Sequence, residues 1–330
     1  MRAVMVREFG TPRDLSIEEV ADPVPAPDEV VIDVQASTAN FVDILVISGK
    51  YQFLPPRPFT PGKLPVGTIS AIGSDVTGFS VGDRVLTTAE EGGYAEKAIA
   101  AAVDCYRIPD SMSFVDAAAI SLAYDTSWFA LRERARVKAG ETVLVLGASG
   151  AVGMAAVQLA HAFGARVVGG ISSPSKEVGV RNAGAFATVN LGVEDLRDGL
   201  RAQVYELNGN RGVDIVIDPL GDRFLEPALR ALDWCGRAVI VGFAAGSIPT
   251  IKANYLLLKN IEVSGLQVSD YRIRRPQRMA ECFAELFEFY ERGVIKIPAA
   301  RTLPLEQFAD ALELVQKREA GARLVLTPNG

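Results

Sequence analysis

The segment Val143-Leu144-Val145-Leu146-Gly147-Ala148-Ser149-Gly150-Ala151-Val152-Gly153-Met154 carries the clearest chemical signal in the chain. An apolar run enters three glycines spaced G-x-x-G-x-x-G and leaves as a helical pattern. Glycine at 147, 150 and 153 lets a strand turn sharply into a helix. The backbone N–H groups of Ser149 to Gly153 can then approach a pyrophosphate, assisted by the positive helix end. The spacing departs from G-x-G-x-x-G, because Ala148 and Ser149 separate the first two glycines. A second apolar stretch near Arg166 completes a βαβ unit of suitable size, so the segment is read as a dinucleotide-binding turn. A P-loop would need Lys-Ser/Thr after the last glycine, where Met154 and Ala155 stand. A G-x-S-x-G nucleophile elbow would need glycine at 151, which is alanine. Its histidine partner could only be His161, roughly 18 Å along the helix at about 1.5 Å per residue.

The end of the next strand bears on which dinucleotide binds. An acid there accepts ribose hydroxyls and repels a 2′-phosphate. This chain reads Gly169-Gly170-Ile171-Ser172-Ser173-Pro174-Ser175-Lys176, with no acid. Ser172 can donate to phosphate oxygens and Lys176 can supply positive charge. The pattern favours NADP(H) over NAD(H).

Composition narrows the chemistry further. Cysteine occurs only at 105, 235 and 282, and histidine only at 161. A thiolate or imidazole metal site therefore has almost nothing to build from, and no metal ligands are assigned. The three cysteines read as reduced, small core residues. His161 falls nearly opposite the apolar helix face formed by Val152, Ala155, Ala156, Leu159 and Phe163, and reads as solvated. In 330 residues, 34 Lys+Arg against 40 Asp+Glu give a formal charge of -6. That balance argues against a nucleic-acid partner. No apolar run reaches the roughly 20 residues needed to span a bilayer. A soluble, cytoplasmic protein is expected.

The elements that must position these groups divide in two. The first 110 or so residues carry β-rich segments at Arg2–Arg7, Glu29–Ser37, Val66–Ile72 and Arg84–Thr88, separated by Pro and Gly. From about Ser121 helix and strand alternate. Strands are predicted at Thr142–Leu146, Val167–Ile171, Phe186–Val189, Val213–Asp218, Ala238–Val241 and Ile261–Gly265. Ser113–Ala135 and Ala151–Phe163 are predicted helical. This alternation implies a parallel sheet covered on both faces, an α/β fold. Two helices, about 276–292 and 304–319, and a strand at Arg323–Thr327 close the chain. The basic run Arg272, Arg274, Arg275 and Arg278 reads as a solvated face.

Nearly the whole chain resembles the zinc-free quinone oxidoreductases related to zeta-crystallin, within the medium-chain dehydrogenases/reductases. The likeness lies in Ala39-Asn40-Phe41-Val42-Asp43-Ile44-Leu45, Gly49-Lys50-Tyr51, Phe59-Thr60-Pro61-Gly62 and Val81-Gly82-Asp83-Arg84-Val85. It continues through Gly92-Gly93-Tyr94-Ala95-Glu96, Lys138 to Val145, the glycine turn, Gly212-Val213-Asp214 and Val241-Gly242-Phe243-Ala244. The resemblance implies a GroES-like β-rich catalytic domain over 1–121, completed by 291–330. A Rossmann domain with a doubly wound parallel sheet would occupy 122–290. Zinc-dependent relatives carry a catalytic cysteine and a Gly-His-Glu motif. Here Gly62-Lys63-Leu64-Pro65 fills the latter stretch, and no cysteine lies near residue 40.

The same likeness implies that Asn40 and Tyr51 face nicotinamide and substrate, with Asp43 beside them in the catalytic set. Thr126, Gly242, Phe243, Ala244 and Leu266 would contact the cofactor, and Arg318 would lie near the 2′-phosphate. Relatives often carry Asn-Tyr after the third strand; Asn190 keeps the first position, but Leu191 replaces the tyrosine. From the residues alone, Asn40 and Asp43 also suit turn and helix caps, and Tyr51 suits packing against the Pro-rich loop. With neither metal nor nucleophile, the cofactor must supply the chemistry. A quinone is the expected acceptor. An activated C=C bond in an enone, enal or 2-enoyl thioester is the alternative, and a non-enzymatic binding or lens-type role is a third. The apolar edge near Ile261–Gly265 invites pairing with a second copy as a homodimer.

Overall fold

The computed structural model describes residues 1–329. Two compact units emerge: Met1–Leu122 with Ser269–Glu291 and Ile297–Gly330, and Ala123–Val268 with Arg292–Lys296. The first holds a mainly antiparallel seven-stranded sheet. Its long strand Glu29–Thr38 pairs with Val66–Ile72 on one side, and along the other with Lys97–Ala101 and then Leu324–Thr327. The run Val30, Ile32, Val34 puts alternate side chains on one face, where they pack with Ile69, Val85, Ala98 and Ala100. Register shifts at Val31/Ile32 and Val34/Ala36 bend this strand. The opposite core joins Val4, Val6, Ile44, Ile47, Phe59 and Tyr94 to Leu312, Leu324 and Leu326.

The segment 269–291 differs from its expected place. It was expected in the cofactor domain, but it packs within the first unit. Phe283 lies 4.7 Å from the Tyr106 ring, and Tyr290 donates to Asp116 at 2.9 Å. The partners Tyr106 and Asp116 lie over a hundred residues away in sequence, so helical periodicity alone could not identify them.

The second unit holds six parallel strands in the spatial order Ala187–Asn190, Arg166–Ile171, Thr142–Val145, Val213–Asp218, Leu232–Ile240 and Glu262–Gly265. The order reverses between Thr142–Val145 and Val213–Asp218, which makes their C-terminal ends the topological switch point. Helix Leu196–Leu207 shows how the sheet is covered. Asp195 caps it by accepting from the Asp198 N–H at 3.3 Å. Leu196, Leu200 and Val204 then recur every four residues and are buried. They join Leu144, Val168, Val189 and Val216 of the strands and Leu225 and Ala228 of helix Asp222–Ala231. Each such side chain contributes about 1.5–3 kcal/mol when fully buried.

One cysteine contradicts the expectation of three core thiols. Cys105 and Cys282 are buried, but Cys235 is exposed. Val213 pairs with Leu232 while Ile215 pairs with Arg237, so Asp233–Gly236 bulges out of the ladder. Cys235 sits in that bulge at φ +59°. No helix among the described residues is long and apolar enough to cross a membrane.

Candidate functional site

The glycine turn leaves the C-terminal end of Thr142–Val145 at the switch point. Gly147 adopts φ +60°, a left-handed conformation that favours glycine. Its carbonyl accepts from the Gly150 N–H at 2.9 Å, and the Ala148 N–H reaches the Gly170 carbonyl at 3.0 Å. Helix Ala151–Ala162 begins there, with Gly150 as its N-cap and no side-chain cap. The N–H groups of Ala151, Val152 and Gly153 therefore lack intrahelical partners and point out of the helix end. At Gly153 a Cβ would stand 2.2 Å from the Gly147 oxygen and 2.8 Å from the Ala148 Cα. The helix thus comes closer to the strand turn than any side chain permits. A phosphate-sized anion fits this cradle by hydrogen bonding and by the helix dipole.

Other predicted cofactor residues lie along the same crest. Gly242 and Ala244 donate backbone hydrogen bonds to Asp218 and Pro219 carbonyls, at 3.4 and 3.1 Å. Leu266 donates to Ile240 at 3.0 Å. Phe243 is half-buried and abuts Gly221. Ser172 is exposed at the end of Arg166–Ile171, and Lys176 is exposed in the turn Pro174–Lys176. Asn190 ends the third strand and accepts from the Gly192 N–H at 2.8 Å. Leu191 is buried and packs against Gly170, so it belongs to the core. Thr126 is buried in helix Phe114–Phe129. Arg318 belongs to the first unit, where it ends helix Phe308–Lys317 in a left-handed conformation. His161 is exposed, as expected.

Asn40, Asp43 and Tyr94 form a buried polar knot in the first unit. Asn40 caps helix Phe41–Ile47, and Asp43 completes the capping box. Asp43 Oδ2 accepts from the Asn40 N–H at 2.8 Å and from the Tyr94 hydroxyl at 2.9 Å. Asn40 Oδ1 in turn accepts from Arg323 at 3.1 Å, while its amide donates to the Thr38 carbonyl at 3.0 Å. Burial pushes the Asp43 carboxyl up, against the pull of Asn40, Tyr94 and the Lys63 charge. Burial likewise holds the Tyr94 phenol well above its ordinary range, so it remains a donor. Tyr94→Phe keeps the ring and removes that donor. It is expected to lower unfolding free energy by about 2 kcal/mol, read as a shift in urea midpoint at constant slope.

Tyr51 is partly buried, 6.4 Å from the Phe53 ring, and the Lys63 ammonium lies 5.0 Å above its ring centre. Lys63 lies outside the sequence-predicted site, although it stands in the stretch where the resemblance gives zinc relatives a Gly-His-Glu motif. It pairs with Glu90, and Arg272 pairs with the same carboxylate. Arg272 corrects the expectation of a solvated basic face: it is 5% exposed. Burial pushes Glu90 up, but the Arg272 and Lys63 charges outweigh it and hold its carboxyl low, at about 2. The glycine motif does not include Asp218 either. Its Oδ1 accepts from the Leu220 and Gly221 N–H groups at 2.8 and 2.9 Å, fixing the loop that packs beside Gly147. The signal for it was the Asp-Pro-Leu-Gly turn sequence at a strand end.

Comparison with known proteins adds to this geometry. Residues 26–110 match the family described as alcohol dehydrogenase GroES-like domain, and residues 151–288 match zinc-binding dehydrogenase. Quinone oxidoreductase-like protein 2 of Mus musculus is 36% identical over 99% of this chain and 92% of its own. The quinone oxidoreductase of Homo sapiens is 35% identical, covering 99% and 97% respectively. The solved Escherichia coli quinone oxidoreductase complexed with NADPH is similar at a TM-score of 0.91 and 29% identity. That likeness covers 99% of this chain and 100% of the other.

Proposed function

The chain belongs to the quinone oxidoreductase family of medium-chain dehydrogenases/reductases, and on that premise we propose that it transfers hydride from NADPH to a quinone without zinc. The observation that carries this reading is the cradle at Gly147–Gly153, where a helix end is brought closer to a strand turn than a Cβ allows. NADPH, when bound, supplies the hydride. Gly147 and Gly150 shape the turn, the N–H groups of Ser149, Ala151, Val152 and Gly153 hold the pyrophosphate, and Ser172, Lys176 and Arg318 serve the 2′-phosphate. Asn190, Thr126, Gly242, Phe243, Ala244 and Leu266 complete the cofactor contacts. Asn40 orients the acceptor side, and Tyr51 hydrogen-bonds an acceptor carbonyl. Asp43 positions Asn40 by fixing the helix cap, and anchors Tyr94 beside it.

Two things support the zinc-free reading. The chain has one histidine, and among the described residues no three His, Cys, Asp or Glu side chains gather into a metal-holding group. The test is NADPH oxidation by purified protein across several quinones and a 2-alkenal of similar size, with and without a zinc chelator. Quinone turnover indifferent to the chelator is expected. Protein that binds NADPH but reduces no quinone would overturn the acceptor, and faster alkenal turnover would replace it with C=C reduction.

We also propose a homodimer through the free edge of Glu262–Gly265, the outermost strand of the parallel sheet. Leu257 and Leu258, on helix Ala253–Lys259 of the same unit, are 78% and 72% exposed, an apolar cost that a partner would relieve. Replacing both with glutamate is expected to halve the mass seen by light scattering. Unchanged mass would exclude this edge as the interface.

A further inference from the structure

We propose that Asp218 is a positioning residue for the nicotinamide half of the cofactor: its carboxylate shapes the loop 219–222, and that loop is the template on which the segment 241–247 is laid. The proposal deepens the reading above and rests on it for the cofactor contacts of Gly242, Phe243 and Ala244. The order of the parallel sheet says which half of the cofactor they meet. Strand Arg166–Ile171, whose end is assigned to the 2′-phosphate, flanks Thr142–Val145 on one side; Val213–Asp218 and then Leu232–Ile240 lie on the other. With the pyrophosphate at the Gly147–Gly153 turn between them, the adenosine half runs one way and the nicotinamide half runs toward 241–244.

Asp218 closes strand Val213–Asp218 and is fully buried. Its Oδ1 gathers the Leu220 and Gly221 N–H groups at 2.8 and 2.9 Å, in a turn that Gly221 completes at φ +64°. The loop held in this way presents its carbonyls in sequence. That of Asp218 accepts from the Val241 N–H at 2.8 Å, that of Pro219 from Ala244 at 3.1 Å, and that of Leu220 from Ala245 at 3.0 Å. The Asp222 N–H ends the ladder on the Ser247 carbonyl at 3.1 Å, and the Ser247 hydroxyl donates to the Asp222 carboxylate. Phe243 lies against Gly221, where a Cβ would stand 2.6 Å from its ring. The path of 241–247 is therefore set by that of 218–222. The second carboxylate oxygen of Asp218, Oδ2, is buried without a hydrogen-bond partner. An unpaired buried oxygen costs free energy, so the gain from an acid here lies in the two N–H groups that Oδ1 holds. The pyrophosphate cradle has supports of its own: the Ala148 N–H on the Gly170 carbonyl and the Leu146 N–H on the Ile217 carbonyl, each at 3.0 Å. Leu220 meets the Gly147 turn through the end of a flexible side chain. Loosening 218–222 thus acts on one half of the cofactor and spares the other.

The experiment compares calorimetric affinities for NADPH and for 2′-phospho-ADP-ribose, which keeps the pyrophosphate and 2′-phosphate but lacks the nicotinamide. Wild-type protein is expected to bind NADPH at least about tenfold tighter than the fragment. Asp218→Ala is expected to erase that margin and leave the fragment's affinity unchanged. Asp218→Asn, whose side-chain oxygen can accept the same two N–H groups, should restore most of the margin. A folded Asp218→Ala protein that keeps the margin overturns the proposal. So does one that loses affinity for both ligands equally, which marks a merely structural role. An asparagine variant that behaves like alanine overturns it too, because the role would then belong to the charge or to Oδ2. If Asp218→Ala does not fold, Ser247→Ala, exposed at the far end of the same ladder, carries the test. A margin cut about threefold is expected from that lost hydrogen bond, and an unchanged margin overturns the proposal. None of these measurements needs turnover, so protein that reduces no quinone can still bear the proposal out. Wild-type protein that binds neither ligand would refute the cofactor reading, and the proposal with it.

Discussion

Gly153→Val is expected to abolish measurable NADPH binding and to destabilise the second unit. The contacts that a Cβ would meet at this position are backbone atoms, the Gly147 oxygen at 2.2 Å and the Ala148 Cα at 2.8 Å. A flexible side chain could move aside; these atoms cannot without moving the turn itself. Relief requires helix Ala151–Ala162 to retreat from the strand end. That withdraws the N–H groups of Ala151 and Val152 from the position a pyrophosphate would occupy. Overpacking of this kind costs about 1–3 kcal/mol in stability, and valine adds further methyls to the clash. Loss of the anion contacts should weaken affinity at least about 10²-fold, since each factor of ten is worth about 1.4 kcal/mol. Gly150→Ala is the matched control. Its nearest neighbour would be the Gly147 oxygen at 3.4 Å, an ordinary contact, and its φ of -79° suits any residue. Calorimetric titration with NADPH, alongside urea unfolding, separates the two. Gly153→Val protein with wild-type affinity would remove the cradle as the cofactor site.

That turn is legible in the sequence because every cue is local. Val143 to Leu146 form a continuous apolar run because the strand is buried on both faces, and the glycines follow at once. The long strand Glu29–Thr38 is legible for a similar reason. Ser16–Glu19 and Arg301–Pro304 are not, since they are short and largely exposed and show little hydrophobic alternation. Their strand character comes from partners elsewhere, Arg2–Met5 and Leu324–Thr327. The site divides along the same line. Asn40 and Asp43 announce a cap three residues apart, and the structure builds it. Arg272 looks like one member of a solvated basic run because its partner Glu90 lies 182 residues away. Lys63 is equally opaque: nothing within a turn of it in sequence reveals burial beside Tyr51 and Glu90. Cys235 is apparent only from the strand register, because a bulge and not composition carries it to the surface.

Ser172→Asp combined with Lys176→Ala is expected to invert cofactor preference, lowering kcat/KM with NADPH by about 10²–10³ relative to NADH. The physical basis is the exposed end of Arg166–Ile171. There a serine hydroxyl, and an ammonium four residues on, can meet a 2′-phosphate, and no acid stands between Gly169 and Lys176. Charge-assisted hydrogen bonds contribute about 1.5–3 kcal/mol each, so removing both contacts accounts for most of the change. The new carboxylate adds repulsion toward phosphate and an acceptor for ribose hydroxyls. Both side chains face solvent, so salt screens the effect: with a Debye length near 8 Å at physiological ionic strength, the ratio should shrink as salt rises. Leu191 offers no substitute contact, being buried against Gly170. Of the residues proposed for the phosphate, Arg318 is the one the double variant leaves unchanged. If the double variant keeps its NADPH preference, the specificity resides in Arg318 and not at this strand end, and Arg318→Ala in the double background would have to remove it.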